Sequence, residues 1–544
     1  MNEYPQTIAW HLTALAKQDP SATAAIFPGA GVSLTYGQLN ERAQTVAKAL
    51  CAMGLRRGEH VAIWSPNSSH YLEVLFGCSA AGNALAAINS NCLAHELGIF
   101  LKQSDATVLF IATGHSREAE YLDAIRVVCP ELPEALPGEL AAKAAPRLKT
   151  VVSLGAEKIP GMLAWQEFLA LGDTVADLEL TARDAAITGD DILLLLFTSG
   201  TTGVSKLAMI HQSCYMTDAH YLLTSHKMTA SDVICTPLPL FHAWGLIVLL
   251  TSVAAGATAL IIDQFSGRNM LAAMEKYRAT FVFGVPSMLV AAIAELDCCQ
   301  YDISTLRGGA MAGAPCPPHL VQAVLERMGA SEFCAAYGST EAAICITGSY
   351  DDPADKRIMT VGRPLPGVNL KVIDPQTGEL APSGVQGELC INSAMNMKGY
   401  YNMPEETART IDAEGWVHSG DLACIDKDGF CTITGRSKDI IIRGGENIAP
   451  IEIEQLLYAH SQVKDAAVVG IPSDYYGEEP VAFVILKQGS IKPLELKSYC
   501  RKHIAYQKVP VHYFLVDEFP RTGSGKVQKF KLRDLALSLI KDQL

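Results

Sequence analysis

The sequence contains no C-x-x-C pair, no broad basic stretch and, at its start, no basic segment leading into an apolar one. Each absence excludes a class. The 15 cysteines, scattered from Cys51 to Cys500 with Cys298 and Cys299 as the one close spacing, read as thiols of a reducing compartment. A net charge of −14 leaves no cationic surface for nucleic acid, so any polyanion has to be held by a few local groups. The missing secretory signal makes the cytoplasm the expected location. Charge is scarce as well: 18% of residues are charged against 49% hydrophobic, the balance of a packed globular protein. No internal repeat is visible, and 544 residues exceed one ordinary core, predicting roughly three or four packed units.

One uncharged run, residues 243–262 (AWGLIVLLTSVAAGATALII), is long enough to test as a membrane span. Gly256 divides it and the piece from Thr258 is β-rich, so the expectation is a buried helix followed by a central strand. No transmembrane segment is predicted; peripheral membrane contact is left open.

Apolar strand-like runs alternate with helix-like stretches through the first half: a strand at 60–64, a helix over 71–81, strands at 83–88 and 106–111, then more at 192–197, 233–236, 258–262 and 280–284. That rhythm predicts parallel sheets covered by helices, in two α/β layers. Residues 130–146, rich in Pro, Ala, Glu and Gly, read as a surface excursion. Short strands at 370–373, 387–391, 423–425 and 430–434, separated by turns, predict a small β-rich unit over about 361–436. A smaller α/β region follows Arg436, with a helix over 451–459, a strand over 463–469 and a basic tail.

The strand at 192–197 delivers Thr198-Ser199-Gly200-Thr201-Thr202-Gly203-Val204-Ser205-Lys206. Glycines that let backbone N–H groups approach an oxyanion, hydroxyl donors and one mobile lysine make this a candidate phosphate cradle. It is not a Walker loop, because two residues separate Gly203 from Lys206 and Leu207 follows the lysine. An ordinary Ser/Thr/Gly turn is the competing reading.

Four further clusters weigh against that competitor. Tyr337-Gly338-Ser339-Thr340-Glu341 puts an aromatic ring, hydroxyls and a carboxylate around a glycine turn, a set that can stack a purine and hold Mg²⁺ beside phosphate. Trp416-Val417-His418-Ser419-Gly420-Asp421 places an aspartate where a strand is expected to end, able to accept two ribose hydroxyls. Gly435-Arg436-Ser437-Lys438-Asp439 joins two cations to an aspartate, and Thr522-Gly523-Ser524-Gly525-Lys526 presents a lysine on a loop. Singly, Glu341 and Asp421 serve equally as caps, Arg436 as an ion-pair partner, His242 as a core histidine and Lys526 as a solvated charge.

Taken together in this order, the motifs TSGTTG, YGSTE, GWVHSGD, GRSKD and TGSGK resemble the adenylate-forming acyl-CoA synthetases, over essentially the whole chain from Leu34-Thr35-Tyr36 to Lys526. The segments at 301–309, 442–448 and 525–530 are most similar to the fatty-acid branch. The resemblance implies a large N-terminal AMP-binding domain, 1–436, of two βα layers with a β-rich barrel subdomain at about 361–436. A hinge at 437–439 and a mobile C-terminal α/β domain, 440–544, follow. It implies ATP and Mg²⁺ as cofactors, coenzyme A as co-substrate and a small carboxylic acid as substrate. Gly313-Ala314-Pro315 and Tyr337 would flank adenine; Thr198, Thr201 and Thr340, with the rest of the cradle, would contact phosphate; Glu341 would hold Mg²⁺. Asp421, with Arg436 beside it, would bind ribose. Lys526 would touch the carboxylate and the α-phosphate. His242, Gly284 and Val285 would border the acyl pocket, Lys438 would mark the hinge, and Gly444-Gly445-Glu446 would admit pantetheine.

Two departures from the family pattern stand out: Ser205 and Leu207 flank Lys206 where proline and glycine are usual, and the following histidine is displaced to His211. The activity implied is a medium- or long-chain fatty-acid CoA ligase working through acyl-AMP. An acyl-AMP ligase loading a carrier protein, an aryl-acid CoA ligase and a non-catalytic nucleotide-binding homologue are the alternatives.

Overall fold

The uncharged run at 243–262 folds as a helix, Ala243–Ala255, and a strand, Thr258–Ile261. His242 caps the helix, its side chain accepting from the Trp244 amide, and every residue from 243 to 253 is buried, so the helix has no wet face. The Tyr36 hydroxyl lies just past its C-terminal end, donating to the Ala257 carbonyl at 2.7 Å with the Ser252 carbonyl 3.2 Å away. This computed structural model describes residues 7–198, 205–444, 446–473, 475–487, 491–521 and 527–541. Among them no helix is long and apolar enough to cross a membrane.

Thr258–Ile261 lies inside a nine-stranded sheet, between Val233–Thr236 and the N-terminal strand Thr23–Phe27. The six inner strands of that sheet run parallel, as the βα rhythm predicts; antiparallel strands close both edges. A seven-stranded sheet carries His60–Trp64 at its middle and is parallel except at one edge, where Ile192–Thr198 pairs antiparallel with Lys206–His211. Helices Tyr36–Ala52, Ser69–Ala81, Gln212–Ser225 and Ala243–Ala255 share one core with both sheets. Alternation along a strand divides the layers: Val61 and Ile63 face that shared core, while Ala62 and Trp64 face an outer one. Residues 130–146 run mostly exposed over the surface, as expected, anchored by Leu132, Leu140, Ala142 and Ala145, which are buried in that outer core.

The β-rich unit is a four-stranded antiparallel sheet, Asn369–Ile373, Gly387–Asn392, Val417–Ile425 and Cys431–Arg436 in that order. Asp421 was expected where a strand ends and lies instead in the interior of Val417–Ile425. The reason is local: pairing continues on both sides of Gly420, whose φ of +67° bends the strand without ending it. Beyond residue 440, a five-stranded sheet and its helices have cores of their own, built among others from Ile453, Leu457, Val468 and Val484 on one side and Phe483, Phe519 and Leu532 on the other.

The nine-stranded sheet is packed closely enough to test. A Cβ on Gly309, where φ is +140°, would stand 1.8 Å from the Val282 carbonyl oxygen. Gly309→Ala is therefore expected to cost about 3 kcal/mol or more of folded stability. Thermal unfolding and limited proteolysis should report a lowered midpoint and faster cleavage; a melting curve matching the parent contradicts this packing.

Candidate active site

Thr198 ends one strand and Lys206 begins its partner, and the two are directly paired, so the ends of the cradle are fixed by sheet hydrogen bonding. Ser199, Gly200, Thr201, Thr202 and Gly203 lie outside the described residues, as do Gly445 and Lys526. The residues that depart from the family pattern on either side of Lys206 are accounted for locally. The Ser205 hydroxyl donates to the Thr198 carbonyl at 3.1 Å, a stitch that proline could not make. Leu207, in place of glycine, is buried in the outer core of the seven-stranded sheet.

Lys206 was expected as a mobile loop cation. It is instead paired with Glu406 at 2.6 Å and lies 4.9 Å over the Tyr400 ring. The hydrogen bond from Lys206 holds the Glu406 carboxyl below its usual range. The Tyr400 hydroxyl donates to Glu341 Oε1 at 2.7 Å, and burial together with the Glu341 charge pushes this phenol up, so it stays a donor at neutral pH. Glu341 Oε2 accepts no hydrogen bond among the described residues. The segment carrying Tyr400 lies along the edge strand: the amides of Met209 and Tyr401 donate to Gly399 O and Leu207 O, and that of Lys398 to Met209 O, at 2.8–2.9 Å. Displaced His211 is buried, its Nε2 3.2 Å from Ala394 O and its Nδ1 facing Gly189 O and Ser213 Oγ; burial lowers its pKa. It ties the edge strand to this same segment and touches none of the named phosphate residues among those described.

A second constellation forms around Asp421. The Tyr337 hydroxyl donates to Oδ2 at 2.6 Å and Arg436 Nε to Oδ1 at 2.8 Å. Asp421 is 6% exposed. Each of its oxygens keeps a second lone pair, so a vicinal diol can still be accepted there. Thr340 and Glu341 follow the strand Glu332–Ser339, which carries Tyr337 and Gly338 and thereby links both constellations.

A third group lies at the ends of neighbouring parallel strands. Trp244 Nε1 donates to Gly284 O at 3.2 Å, and Ala312 N donates to the same carbonyl. A Cβ on Gly313 would meet Val285 Cγ1 at 3.4 Å, so 313–315 lies beside the Gly284-Val285 bend. His242 stands at the start of the Trp244 helix, on a loop fixed by Asn67 and Tyr71 through Leu238 O, Leu240 N and Leu240 O. Ala314 and Pro315 are exposed.

Lys438 lies in a short turn, Ser437–Asp439, between the two regions. Gly444 and Glu446 belong to a hairpin of the last sheet, and no hydrogen bond or ion pair joins them to Glu341 or Asp421 among the described residues. Arg443 beside them is buried between the Tyr476 and Tyr506 rings and paired with Glu479 at 2.9 Å. Sequence reasoning passed over Tyr400, Glu406, Trp244 and Arg443. The Gly399-Tyr400-Tyr401-Asn402-Met403-Pro404-Glu405-Glu406 string, a turn signal before an acidic helix start, was the available clue for the first two.

A pair of strands flanking the hydroxyl–glycine run, a carboxylate held beside it and a buried aspartate bonded by a tyrosine hydroxyl, set on two α/β layers with a separate terminal sheet, define an adenylate-forming enzyme. The chain belongs to the AMP-binding enzyme family, among its acyl-CoA synthetases, and is a ligase. The family's profile matches residues 12–401, and that of the AMP-binding enzyme C-terminal domain matches 452–526. YngI of Bacillus subtilis is 40% identical, covering 98% of this chain and 97% of that one. The mitochondrial medium-chain acyl-CoA ligase ACSF2 of Bos taurus is 34% identical, covering 97% and 87%. Among solved structures, the anthranilate CoA ligase AuaEII with anthranoyl-AMP superposes with a TM-score of 0.88 at 26% identity over 99% of both chains. ATP-bound MatB from Rhodopseudomonas palustris gives 0.81 at 28% identity, covering 97% and 98%.

The Tyr400 contact gives a direct test. Hydrogen bonds to charged groups typically contribute ~1.5–3 kcal/mol, so Tyr400→Phe should lower kcat/KM for pyrophosphate release about tenfold or more. The variant should also need more Mg²⁺ for half-maximal rate. Wild-type Mg²⁺ dependence in the variant would show that the phenol does not position Glu341.

Proposed function

We propose that this enzyme joins a medium- or long-chain fatty acid to coenzyme A in two half-reactions. In the first, a carboxylate oxygen attacks the α-phosphorus of ATP and pyrophosphate leaves, giving acyl-AMP. In the second, the CoA sulfur, as thiolate, attacks the acyl carbon and AMP leaves. A bare carboxylate resists thiol attack because its carbon is electron-rich and oxide is a poor leaving group, so activation has to come first. The observation that carries the reading is the joining of Glu341 to the phosphate hairpin through Tyr400, with Tyr337 linking the same strand to Asp421.

In this reading Thr198, Ser199, Gly200, Thr201, Thr202 and Gly203, with Thr340, receive the phosphates, and Lys206 exchanges Glu406 for a phosphate oxygen. Asp421 and Arg436 hold the ribose, while Tyr337, Gly338 and residues 313–315 border adenine. A cation's fit is favourable: Mg²⁺ is usually held by one or two carboxylates plus phosphate oxygens and water, and Glu341 offers one oriented carboxylate with an oxygen to spare. Bound there, Mg²⁺ would neutralise charge on the phosphates. Lys526 would meet the carboxylate and α-phosphate in the first step, where a well-placed donor typically contributes ~3 kcal/mol. The large domain would end at Arg436, with 437–439 around Lys438 as the hinge. Rotation of 440–544 would then bring Gly444, Gly445 and Glu446 to the pantetheine in the second step. All fifteen cysteines are unpaired, which supports a cytoplasmic location.

The acyl pocket is assigned to His242, Gly284 and Val285. An aryl acid is the second reading, favoured by the Trp244 indole bound at Gly284. A panel of straight-chain and aryl acids in a pyrophosphate assay, with and without CoA, separates the two. Each buried CH₂ adds about 0.8 kcal/mol, about fourfold, so kcat/KM should climb with chain length and then level off. A Cβ at Gly284 meets nothing closer than 3.7 Å, so Gly284→Leu should fold and shift the optimum to shorter chains. Preference for acetate or benzoate in the parent overturns the fatty-acid reading.

The assignment of Lys526 has its own test. Lys526→Ala should abolish acyl-AMP formation yet convert supplied acyl-AMP and CoA to thioester at near the parent rate. Equal loss in both half-reactions would mean that the lysine is structural.

A further inference from the structure

The Val417–Ile425 strand carries more than Asp421. His418 faces Cys390 directly across the antiparallel pair, and Glu388 lies two residues from Cys390 on the same face. Cys390 Sγ lies 3.6 Å from His418 Nδ1, which lies 3.3 Å from Glu388 Oε2, and the three ligand atoms all fall within 4.8 Å of one another. The phosphate and ribose chemistry uses none of these three side chains.

We propose that Cys390, His418 and Glu388 form a tetrahedral site for a borderline-soft divalent cation of the zinc type, with the fourth position open to water. Geometry carries the argument. Metal–sulfur bonds of ~2.3 Å and metal–nitrogen or –oxygen bonds of ~2.0–2.1 Å, at tetrahedral angles, set sulfur and nitrogen about 3.5 Å apart and nitrogen and oxygen about 3.3 Å apart. The observed separations match both edges. A thiolate, an imidazole and one carboxylate are also the donor set that selects zinc over magnesium or calcium.

The surroundings add an outer shell. His418 Nε2, on the far side of the ring from Cys390, lies 3.5 Å from Asp412 Oδ2, the contact that fixes the tautomer leaving Nδ1 free to ligate. Asp412 is itself oriented by the amides of Glu414 and Trp416 at 2.9 Å. The second Glu388 oxygen accepts from the Gly420 amide at 3.1 Å, which turns Oε2 toward the histidine. Cys390 is fully buried, while the His418 and Glu388 side chains keep 29% and 17% exposure, so one side is open for entry and for a water ligand. Lys371 stands opposite Cys390 on the neighbouring strand, with its ammonium 4.3 Å over the Trp416 ring and 3.9 Å from Asp412 Oδ2. Binding would release the Cys390 thiol proton to solvent and leave the site with one thiolate and one carboxylate against the dication.

Cobalt titration of the full-length protein, first stripped with a chelator, tests the site. The expected result is one equivalent of Co²⁺ giving intense tetrahedral visible bands and a thiolate-to-cobalt charge-transfer band, both bleached by Zn²⁺. Cys390→Ser should lose the charge-transfer band, and Asp412→Asn should keep it with affinity weakened ~10–100-fold. Should Cys390→Ser fail to fold, His418→Gln, at a partly exposed position, should lose the tetrahedral bands. The proposal is overturned if the parent gives no such bands, in which case the contacts are plain hydrogen bonds. It is overturned equally if the charge-transfer band survives in Cys390→Ser, which would place the cation on another of the fifteen thiols. Neither outcome depends on the enzyme's acid or on its turnover.

Discussion

The candidate site depends on the antiparallel seating of residues 398–401 against the edge strand Lys206–His211. A bare edge of this kind exposes unpaired backbone groups, and here the covering segment belongs to the run that leads into the acidic helix Pro404–Thr410. One set of backbone hydrogen bonds therefore does two things. It closes the sheet, and it brings Tyr400 to Glu341 and Glu406 to Lys206. The paired strands Ile192–Thr198 and Lys206–His211 and Glu341, which follows the strand of Tyr337, are thereby tied to one segment.

Electrostatics follow the same economy. The chain is strongly acidic overall, yet ATP is a polyanion, so cations have to be kept at the site without being left bare. Lys206 is held by Glu406 and Arg436 by Asp421, each within hydrogen-bond distance. On the proposed reading, incoming phosphate and ribose would exchange partners with groups already oriented, and neither cation would be desolvated from scratch.

Much of this was legible in the residues because it rests on local rules. Apolar runs of four to eight residues became parallel strands, the glycine at 256 divided helix from strand, and the strand expected before the hydroxyl–glycine run ends at Thr198. What escaped has a shared physical cause: it depends on contacts between segments far apart in sequence. Tyr400 meets Glu341 across 59 positions, and Trp244 meets Gly284 across 40. Asp421 was misplaced at a strand end because a glycine inside a strand looks the same in sequence as one that terminates it. Residues 130–146 do run over the surface as composition suggested, but composition says nothing about which of their alanines and leucines anchor the segment by turning inward.

The position of the first strand has a consequence for synthesis. Ala25 pairs with Ala259 in the interior of the nine-stranded sheet. At about 5–20 residues per second, a ribosome needs roughly ten to fifty seconds to pass from one to the other. Throughout that interval the N-terminal strand has its hairpin neighbour Val32–Thr35 but lacks its parallel partner. The uncharged, fully packed helix Ala243–Ala255 emerges just before that partner does. The nascent chain therefore carries unpaired strand edges and a helix without a wet face at the same time, the condition in which partly folded chains are prone to aggregate.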